Sequence, residues 1–149
     1  MFDIETSHDK LRLLTADYKR LIGDPLNTSL AEKCCQDAWH LADWDLKDKQ
    51  KIRTNLTKEQ YRVDLYNNCP EMRILYDLAN SMKHQSLDSP KAKIQKTNVH
   101  RGAFSSGFSK GFDVSGLQVM FGDNKQIDVD DLVKIAIDYW TKKLTPETK

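Results

Sequence analysis

The chain has 149 residues and a formal net charge of +1, with 39% hydrophobic and 30% charged residues. This composition suits one folded domain with its own core, and it excludes a disordered chain and a globally basic nucleic-acid-binding protein. No apolar run approaches the roughly 18 residues of a membrane span, and the acidic start is unlike a signal peptide, so we predict a cytoplasmic protein without membrane contact.

The first two predicted elements are helices. Leucine and tyrosine residues recur at steps of three and four over residues 6–22, and Gly23 then suits the C-terminal cap. A second apolar stripe predicts a helix over 29–48, and Ser29 would begin it with a capping box. The highly charged stretch 47–53 is expected to fray into a loop.

Two shorter helices are expected next. Thr57, followed three residues later by Gln60, repeats the capping pattern and predicts the start of a third helix. The Asn-Asn-Cys-Pro sequence at 67–70 predicts a break. Pro70 fits the first turn of a fourth helix over 70–84, since the missing N–H of proline is not needed there.

The second half of the chain changes character. Residues 85–116 are rich in Gly, Ser and Lys, 117–129 predict a β-hairpin, and 130–145 predict a last helix. Together with a helical bundle over 1–84, these segments predict a single, mainly α domain spanning 1–149. It would have about five helices, with a short C-terminal β-hairpin before the last one.

The cysteines predict no metal site and no disulfide framework. There are three of them, Cys34, Cys35 and Cys69, without C-x-x-C spacing. We expect all three to be ordinary buried or half-buried thiols. The sequence also lacks the glycine-rich and histidine motifs of nucleotide and zinc enzymes, so we expect neither a cofactor nor a metal.

The fourth helix carries the first candidate catalytic group. Arg73, Asp77, Asn80 and His84 follow one another at steps of four, three and four, which places them on one helix face. His84 could move a proton, Asn80 could orient it, and Arg73 with Lys83 could hold a phosphate. The alternative is a solvated helix face in which Arg73 and Asp77 form a surface ion pair.

A second group lies in the second helix. His40 stands between Trp39 and Trp44, with Asp43 one turn away. His40 could contact substrate and form an acid–base pair with His84 across the bundle. The alternative is that both tryptophans anchor the core and His40 makes a local hydrogen bond.

A repeat of phenylalanine every fourth residue occupies the glycine-rich segment. Gly102-Ala-Phe104, Ser106-Gly-Phe108 and Lys110-Gly-Phe112 are flanked by basic residues, among which Arg101 is a candidate substrate contact. Aromatic and basic residues together can bind single-stranded nucleic acid. The same rings could instead cover the edge of a core.

The motif Asn80-x-x-x-His84, late in a bundle helix, resembles the HEPN superfamily. That resemblance implies an all-helical, often dimeric domain and, in many members, a metal-independent ribonuclease of phage-defence systems. The family motif places an arginine directly before the polar residue, whereas here Ala79 stands before Asn80 and the nearest upstream arginine is Arg73. RNA would be the substrate and a homodimer the expected assembly.

The whole chain also resembles an uncharacterised family of bacterial and phage proteins. The resemblance rests on the segment 38–44, on Ala79-Asn-x-x-Lys-His84 and on the Gly-Phe repeat. It implies no mechanism. Two other functions therefore stay open: a non-enzymatic module that binds a protein partner, and a small-molecule pocket between the bundle and the hairpin.

Overall fold

The computed structural model describes residues 6–83, 94–100, 116–121 and 125–144, and these ranges contain five helices and three strands. The mainly α architecture with a β-hairpin before the last helix is confirmed. In chain order the elements are α1 Ser7–Gly23, α2 Thr28–Ile52, α3 Lys58–Asn68, α4 Met72–Lys83, β1 Ile94–His100, β2 Gly116–Phe121, β3 Lys125–Asp128 and α5 Val129–Leu144.

Short polar side chains fix the helix starts. The predicted capping box of α3 is confirmed: the Thr57 hydroxyl accepts from the Gln60 N–H at 3.1 Å, and the Gln60 side chain accepts from the Thr57 N–H at 3.0 Å. The capping box predicted at Ser29 is wrong. Asn27 caps α2 instead, accepting from the Leu30 N–H at 3.0 Å, because its amide oxygen already satisfies an amide of the first turn.

The expected fraying of 47–53 is also wrong, because α2 continues to Ile52. Lysine and glutamine are good helix formers, so charge alone does not end a helix. Lys49 and Lys51 each lie near an aspartate of the preceding turn, at 3.5 and 3.7 Å, and their charges suit the helix C-terminus.

The fourth helix begins at Met72, two residues later than predicted. Pro70 and Glu71 form a turn whose carbonyls accept from the N–H groups of Arg73 and Ile74, both at 3.1 Å. The α4 helix is described as far as Lys83, so His84 lies outside the described residues.

The core is built around α2, against which α1, α4 and α5 pack. The Trp140 side chain on α5 is fully buried, and its indole N–H donates to the Ala38 carbonyl of α2 at 2.9 Å. This bond joins residues 102 positions apart and fixes the last helix against the middle of α2. Other fully or almost fully buried side chains are Leu14, Leu21, Leu41, Leu65, Met72, Leu75, Leu132 and Val133.

The hairpin is part of a three-stranded antiparallel sheet in the order β1-β2-β3. The sequence predicted β2 and β3 but no strand within 85–116, so β1 is a correction. A lone hairpin is only marginally stable, and β1 supplies a second hydrogen-bonded neighbour for β2. Leu117 and Val119 of β2 are buried, and α5 packs against β2 and β3.

Candidate functional site

Three aromatic rings from three helices meet beside the core. Trp39 of α2 stacks on Tyr66 of α3 with ring centroids 6.4 Å apart and an angle of 17° between planes. The ring of Tyr76 on α4 meets Trp39 edge to face at 5.0 Å and 78°. These contacts join α2, α3 and α4 at one point, since the cluster takes one ring from each.

Two guanidinium groups lie on these rings. The Cζ of Arg62 is 5.4 Å from the centroid of Trp39 and 5.0 Å from that of Tyr76, and the Cζ of Arg73 is 4.8 Å from that of Tyr66. Both arginines are half-buried. We call these five residues the arginine–aromatic cluster.

Neither arginine of the cluster forms an ion pair with a carboxylate in the described ranges. The ion pair that the spacing of Arg73 and Asp77 suggested is therefore not formed. A guanidinium stacked on a ring keeps its N–H donors in the plane of the group, where they can reach an anion. The cluster thus presents two positive charges that are held in place by aromatic contacts and form no ion pair with an acidic side chain of the described residues.

The hydroxyl of Tyr66 is buried within the cluster. The residue is 8% exposed, and its hydroxyl has no hydrogen-bond partner among the described residues. Burial raises the pKa of Tyr66 to about 12, although Arg62 and Arg73 act in the opposite direction. A buried hydroxyl without a partner destabilises the fold by about 1–3 kcal/mol unless a ligand or water meets it.

The helix α4 is more deeply buried than its polar pattern indicated. Asp77, expected on the solvated face, is fully buried, because α4 packs against α2, α3 and β1. Asn80 is half-buried one turn further along the helix. Arg73 and Asn80 therefore remain accessible on α4, while the carboxylate between them is covered.

The other predicted site residues are less well placed by the structure. His40 lies exposed on α2, directly after the buried Trp39. Lys83 is the last residue of α4, while His84 and Arg101 lie outside the described residues, as does the Gly-Phe repeat. The predicted pairing of His40 with His84 accordingly stays a prediction.

Sequence reasoning missed Arg62 and the roles of Tyr66 and Tyr76. Arg62 and Tyr66 are four residues apart on α3, and Arg73 and Tyr76 are three apart on α4, so each helix brings one arginine and one tyrosine to the same face. That repeated spacing is the signal that could have found the cluster. It does not reveal Trp39, which joins the cluster only through packing.

The three cysteines are free thiols, and all three are buried, which confirms the predicted burial. Burial raises the pKa of Cys34 and of Cys35 to about 12, and that of Cys69 to about 11. A thiol with such a pKa carries almost no thiolate at neutral pH. These cysteines are therefore poor nucleophiles and poor metal ligands in the folded protein.

One group of acidic side chains stands out in the described part of the chain. Carboxylate oxygens of Asp128, Asp130 and Asp131 lie within 4.8 Å of one another at the start of α5. The Asp130 carboxylate accepts from the Asp131 N–H at 2.9 Å, and acidic side chains are favourable in a first helical turn. The helix start accounts for this group without a metal ion.

Among the described helices, none is long and apolar enough to cross a membrane.

Comparisons of the chain with family models, with curated proteins and with solved structures found no match.

Proposed function

We propose that the protein is a HEPN-like RNA-binding protein that cleaves RNA without a metal ion and uses the arginine–aromatic cluster to hold the strand. The observation that carries the proposal is the pair of guanidinium groups of Arg62 and Arg73, held on aromatic rings without an acidic partner in the described ranges. Such groups bind phosphate in a bidentate manner and also stack on unpaired bases.

The geometry favours a single strand over a duplex. Arg62 contacts two rings and Arg73 contacts one, and neither guanidinium pairs with a carboxylate in the described ranges, so their N–H donors are available to a ligand. Base stacking on arginine or aromatic planes requires unpaired bases, whereas a duplex offers mainly phosphates. The net charge of +1 also favours local recognition over a general attraction to polyanions.

The chemistry of cleavage would depend on α4 and the residue that follows it. Arg73 and Asn80 are both half-buried on this helix, and His84 follows its last described residue. A histidine titrates near neutral pH and can act as the general acid–base in phosphodiester cleavage. Arg73 and Lys83 would stabilise the negative charge that develops on phosphate, with Asn80 orienting the imidazole.

A homodimer and a role in phage–host conflict belong to the same proposal. Two copies of α4 in one assembly would supply two sets of Asn80 and His84. The dimer would then have twice as many candidate catalytic side chains as one chain. Sedimentation of the purified protein tests the dimer directly.

Cleavage of a labelled single-stranded RNA in EDTA tests the catalytic part. We expect the wild type to cleave and His84→Ala to lose cleavage while retaining RNA binding and the helical circular dichroism spectrum. Cleavage by His84→Ala at the wild-type rate contradicts the assignment of the acid–base residue.

Binding of the same RNA tests the cluster separately. We expect Arg62→Gln and Arg73→Gln each to weaken binding about tenfold, because each removes a charge-assisted contact. Each variant should also reduce the salt dependence of binding by about one phosphate contact. The matched control is Arg12→Gln, on an exposed face of α1 at a side-chain exposure of 76%, which should leave binding unchanged.

A second function, recognition of a protein partner, is favoured by one specific observation. Tryptophan, tyrosine and arginine dominate the energetic centres of protein interfaces, and the cluster consists of these types alone. Val63, the residue after Arg62 on α3, is 61% exposed. No RNA binding by the wild type, together with loss of a captured partner in Arg62→Gln, would assign the cluster to this function.

A further inference from the structure

A cavity of about 470 Å³ lies on the other side of α3, away from the arginine–aromatic cluster. It is open on one side and is bordered by the C-terminal end of α2, the first turns of α3 and the last turn of α5. Its volume is within the range of small-molecule sites, which is about 300–1,000 Å³. The lining residues are Lys49, Arg53, Leu56, Gln60, Tyr61, Asp64 and Lys143, none of which belongs to the cluster.

The cavity does not adjoin the sheet. Lys143 lies in the last turn of α5, whereas β3 leads directly into the first turn of that helix. At 1.5 Å per residue, the two ends of α5 are about 20 Å apart. The pocket that the sequence suggested, between the bundle and the hairpin, is therefore a different place.

Lys143 is the most enclosed cation of the cavity, with a side-chain exposure of 16%. Its ammonium lies 4.8 Å from the ring centroid of Tyr61 and donates to the hydroxyl of Tyr139 at 2.9 Å. The nearest carboxylate oxygens, of Asp45 and Asp64, are at 3.5 and 4.0 Å, longer than the roughly 2.7–2.9 Å of a strong charged hydrogen bond. Of its three polar partners, only Tyr139 is at normal hydrogen-bond distance, so a phosphate in the cavity could replace the longer contacts with the carboxylates.

Asp45 behind the wall is largely satisfied by protein groups. The Tyr61 hydroxyl donates to its Oδ2 at 2.7 Å, and Lys49 lies 3.5 Å from its Oδ1. Asp45 is 3% exposed, so it holds Tyr61, Lys49 and Lys143 in position without itself facing the cavity. The buried carboxylate thus organises the wall.

Arg53 completes the positive side of the cavity. Its backbone N–H donates to the Lys49 carbonyl at 2.8 Å and ends α2. This bond fixes the position of the Arg53 backbone at the edge of the cavity. The Gln50 amide donates to the Leu56 carbonyl at 3.0 Å and holds the following loop. In the described ranges the exposed guanidinium of Arg53 forms no ion pair.

The charges on the cavity wall are unbalanced. Three cations, Lys49, Arg53 and Lys143, stand against two carboxylates: Asp45, which lies 3.5 Å from both lysines, and Asp64 at the rim, whose side chain is 68% exposed. One positive charge is therefore left over, and Arg53 is the cation without a carboxylate in the described ranges. An excess of fixed positive charge around a partly enclosed space favours an anion. Leu56 and the ring of Tyr61 add an apolar surface that a bare inorganic ion would not use.

We propose that this cavity binds a small phosphate-bearing molecule, with Arg53 and Lys143 as its phosphate contacts and Leu56 and Tyr61 against its organic part. Arginine matches phosphate through its planar fork, and lysine adds a point charge. The cavity is larger than a phosphate ion requires, which favours a phosphorylated metabolite or nucleotide over free phosphate. This site is independent of RNA binding at the cluster.

Isothermal titration calorimetry with pyrophosphate and with AMP, at constant ionic strength, tests the proposal. We expect the wild type to bind AMP with a Kd below about 1 mM and Arg53→Gln to weaken it about tenfold. The matched control is Lys51→Gln, which removes one exposed charge from the same end of α2 outside the cavity, at a side-chain exposure of 78%. Binding of AMP should be unchanged in this variant.

Each outcome decides for or against the site. Loss in Arg53→Gln with retention in Lys51→Gln supports it, and tighter binding of AMP than of pyrophosphate supports the apolar contacts. Equal weakening by both substitutions would assign the binding to general electrostatics and overturn the site. Absence of binding by both probes also overturns it. RNA binding by Arg53→Gln should equal that of the wild type, which separates this test from that of the proposed function.

Discussion

Two tyrosines on α3 offer a sharp test of the structure, because removal of the hydroxyl should have opposite effects at the two positions. Both side chains are buried, Tyr61 at 4% and Tyr66 at 8% exposure. The Tyr61 hydroxyl donates to the Asp45 carboxylate at 2.7 Å, whereas the Tyr66 hydroxyl has no partner among the described residues. The substitution Tyr→Phe removes the same atom from the same helix in each case.

The expected free energies follow from this difference. Tyr61→Phe loses a hydrogen bond to a charged group, worth about 1.5–3 kcal/mol, and leaves the buried Asp45 with one donor fewer. Tyr66→Phe removes an unsatisfied buried polar atom and should stabilise the protein by about 1 kcal/mol. The two variants should differ by about 3 kcal/mol in their free energy of unfolding.

Urea unfolding followed by tryptophan fluorescence measures this difference. In a chain of this size, each kcal/mol shifts Tm by about 2–4 °C, so thermal unfolding should separate the variants clearly. Each variant serves as the control for the other, since the lost volume and the helix are the same. Equal destabilisation by Tyr66→Phe and Tyr61→Phe would refute the unpartnered hydroxyl, because it would mean that Tyr66 has a partner in the free protein.

The same variant connects stability with binding. If RNA meets the Tyr66 hydroxyl in the cluster, Tyr66→Phe should bind RNA more weakly while unfolding at a higher temperature. A buried polar group that costs stability in the free protein and is satisfied on binding has this property. A variant that is more stable and binds RNA as well as the wild type would place the hydroxyl outside the RNA contact.

Two further predictions concern the core. Cys34, Cys35 and Cys69 are buried with raised pKa values, so all three should react with a thiol reagent only on unfolding; rapid modification of native protein at pH 8 would contradict their burial. Trp140→Phe should destabilise the protein by about 2–4 kcal/mol in urea unfolding, because it leaves a cavity and removes the bond to the Ala38 carbonyl; a loss below 1 kcal/mol would show that α5 is not held there.

The helical part of the fold could be predicted because its signals are local. The capping box of Thr57 and Gln60 lies within four consecutive residues, and the apolar stripe of α5 repeats within single turns. The cap of α2 was predicted wrongly: Ser29 has the spacing of a capping box, but Asn27, two residues earlier, caps the helix. Local signals thus located the helices to within a few residues.

The strand β1 could not be read in the same way. Its pairing partner lies about twenty residues later, as the register of Thr97 with Val119 shows. The segment has little alternation of apolar and polar residues, so its strand structure depends on the edge that β2 offers. When a strand depends on pairing with a distant segment, its own sequence does not need a strong pattern of alternating apolar and polar residues.

The sequence predicted only part of the candidate site, also because contacts between distant elements are not written in a local pattern. The four-residue pattern of α4 brought Arg73 and Asn80 to attention, but it also assigned Asp77 to the solvent. Asp77 is buried because α4 is covered by α2, α3 and β1. The helical period distinguishes a buried face from an exposed face only in a helix that has one side in water. Polar residues on a surrounded helix therefore do not predict exposure.

The short helix α3 connects the two sites that we propose. Its residues Arg62 and Tyr66 belong to the arginine–aromatic cluster, while Gln60, Tyr61 and Asp64 line the cavity. The helix α3 buries one stripe, formed by Tyr61, Leu65 and Tyr66, and carries polar side chains around the rest of its circumference. Gln60 and Asp64 lie on one face of α3, and Arg62 and Tyr66 lie on a different face, so one helix can contribute residues to both proposed sites without sharing any of them.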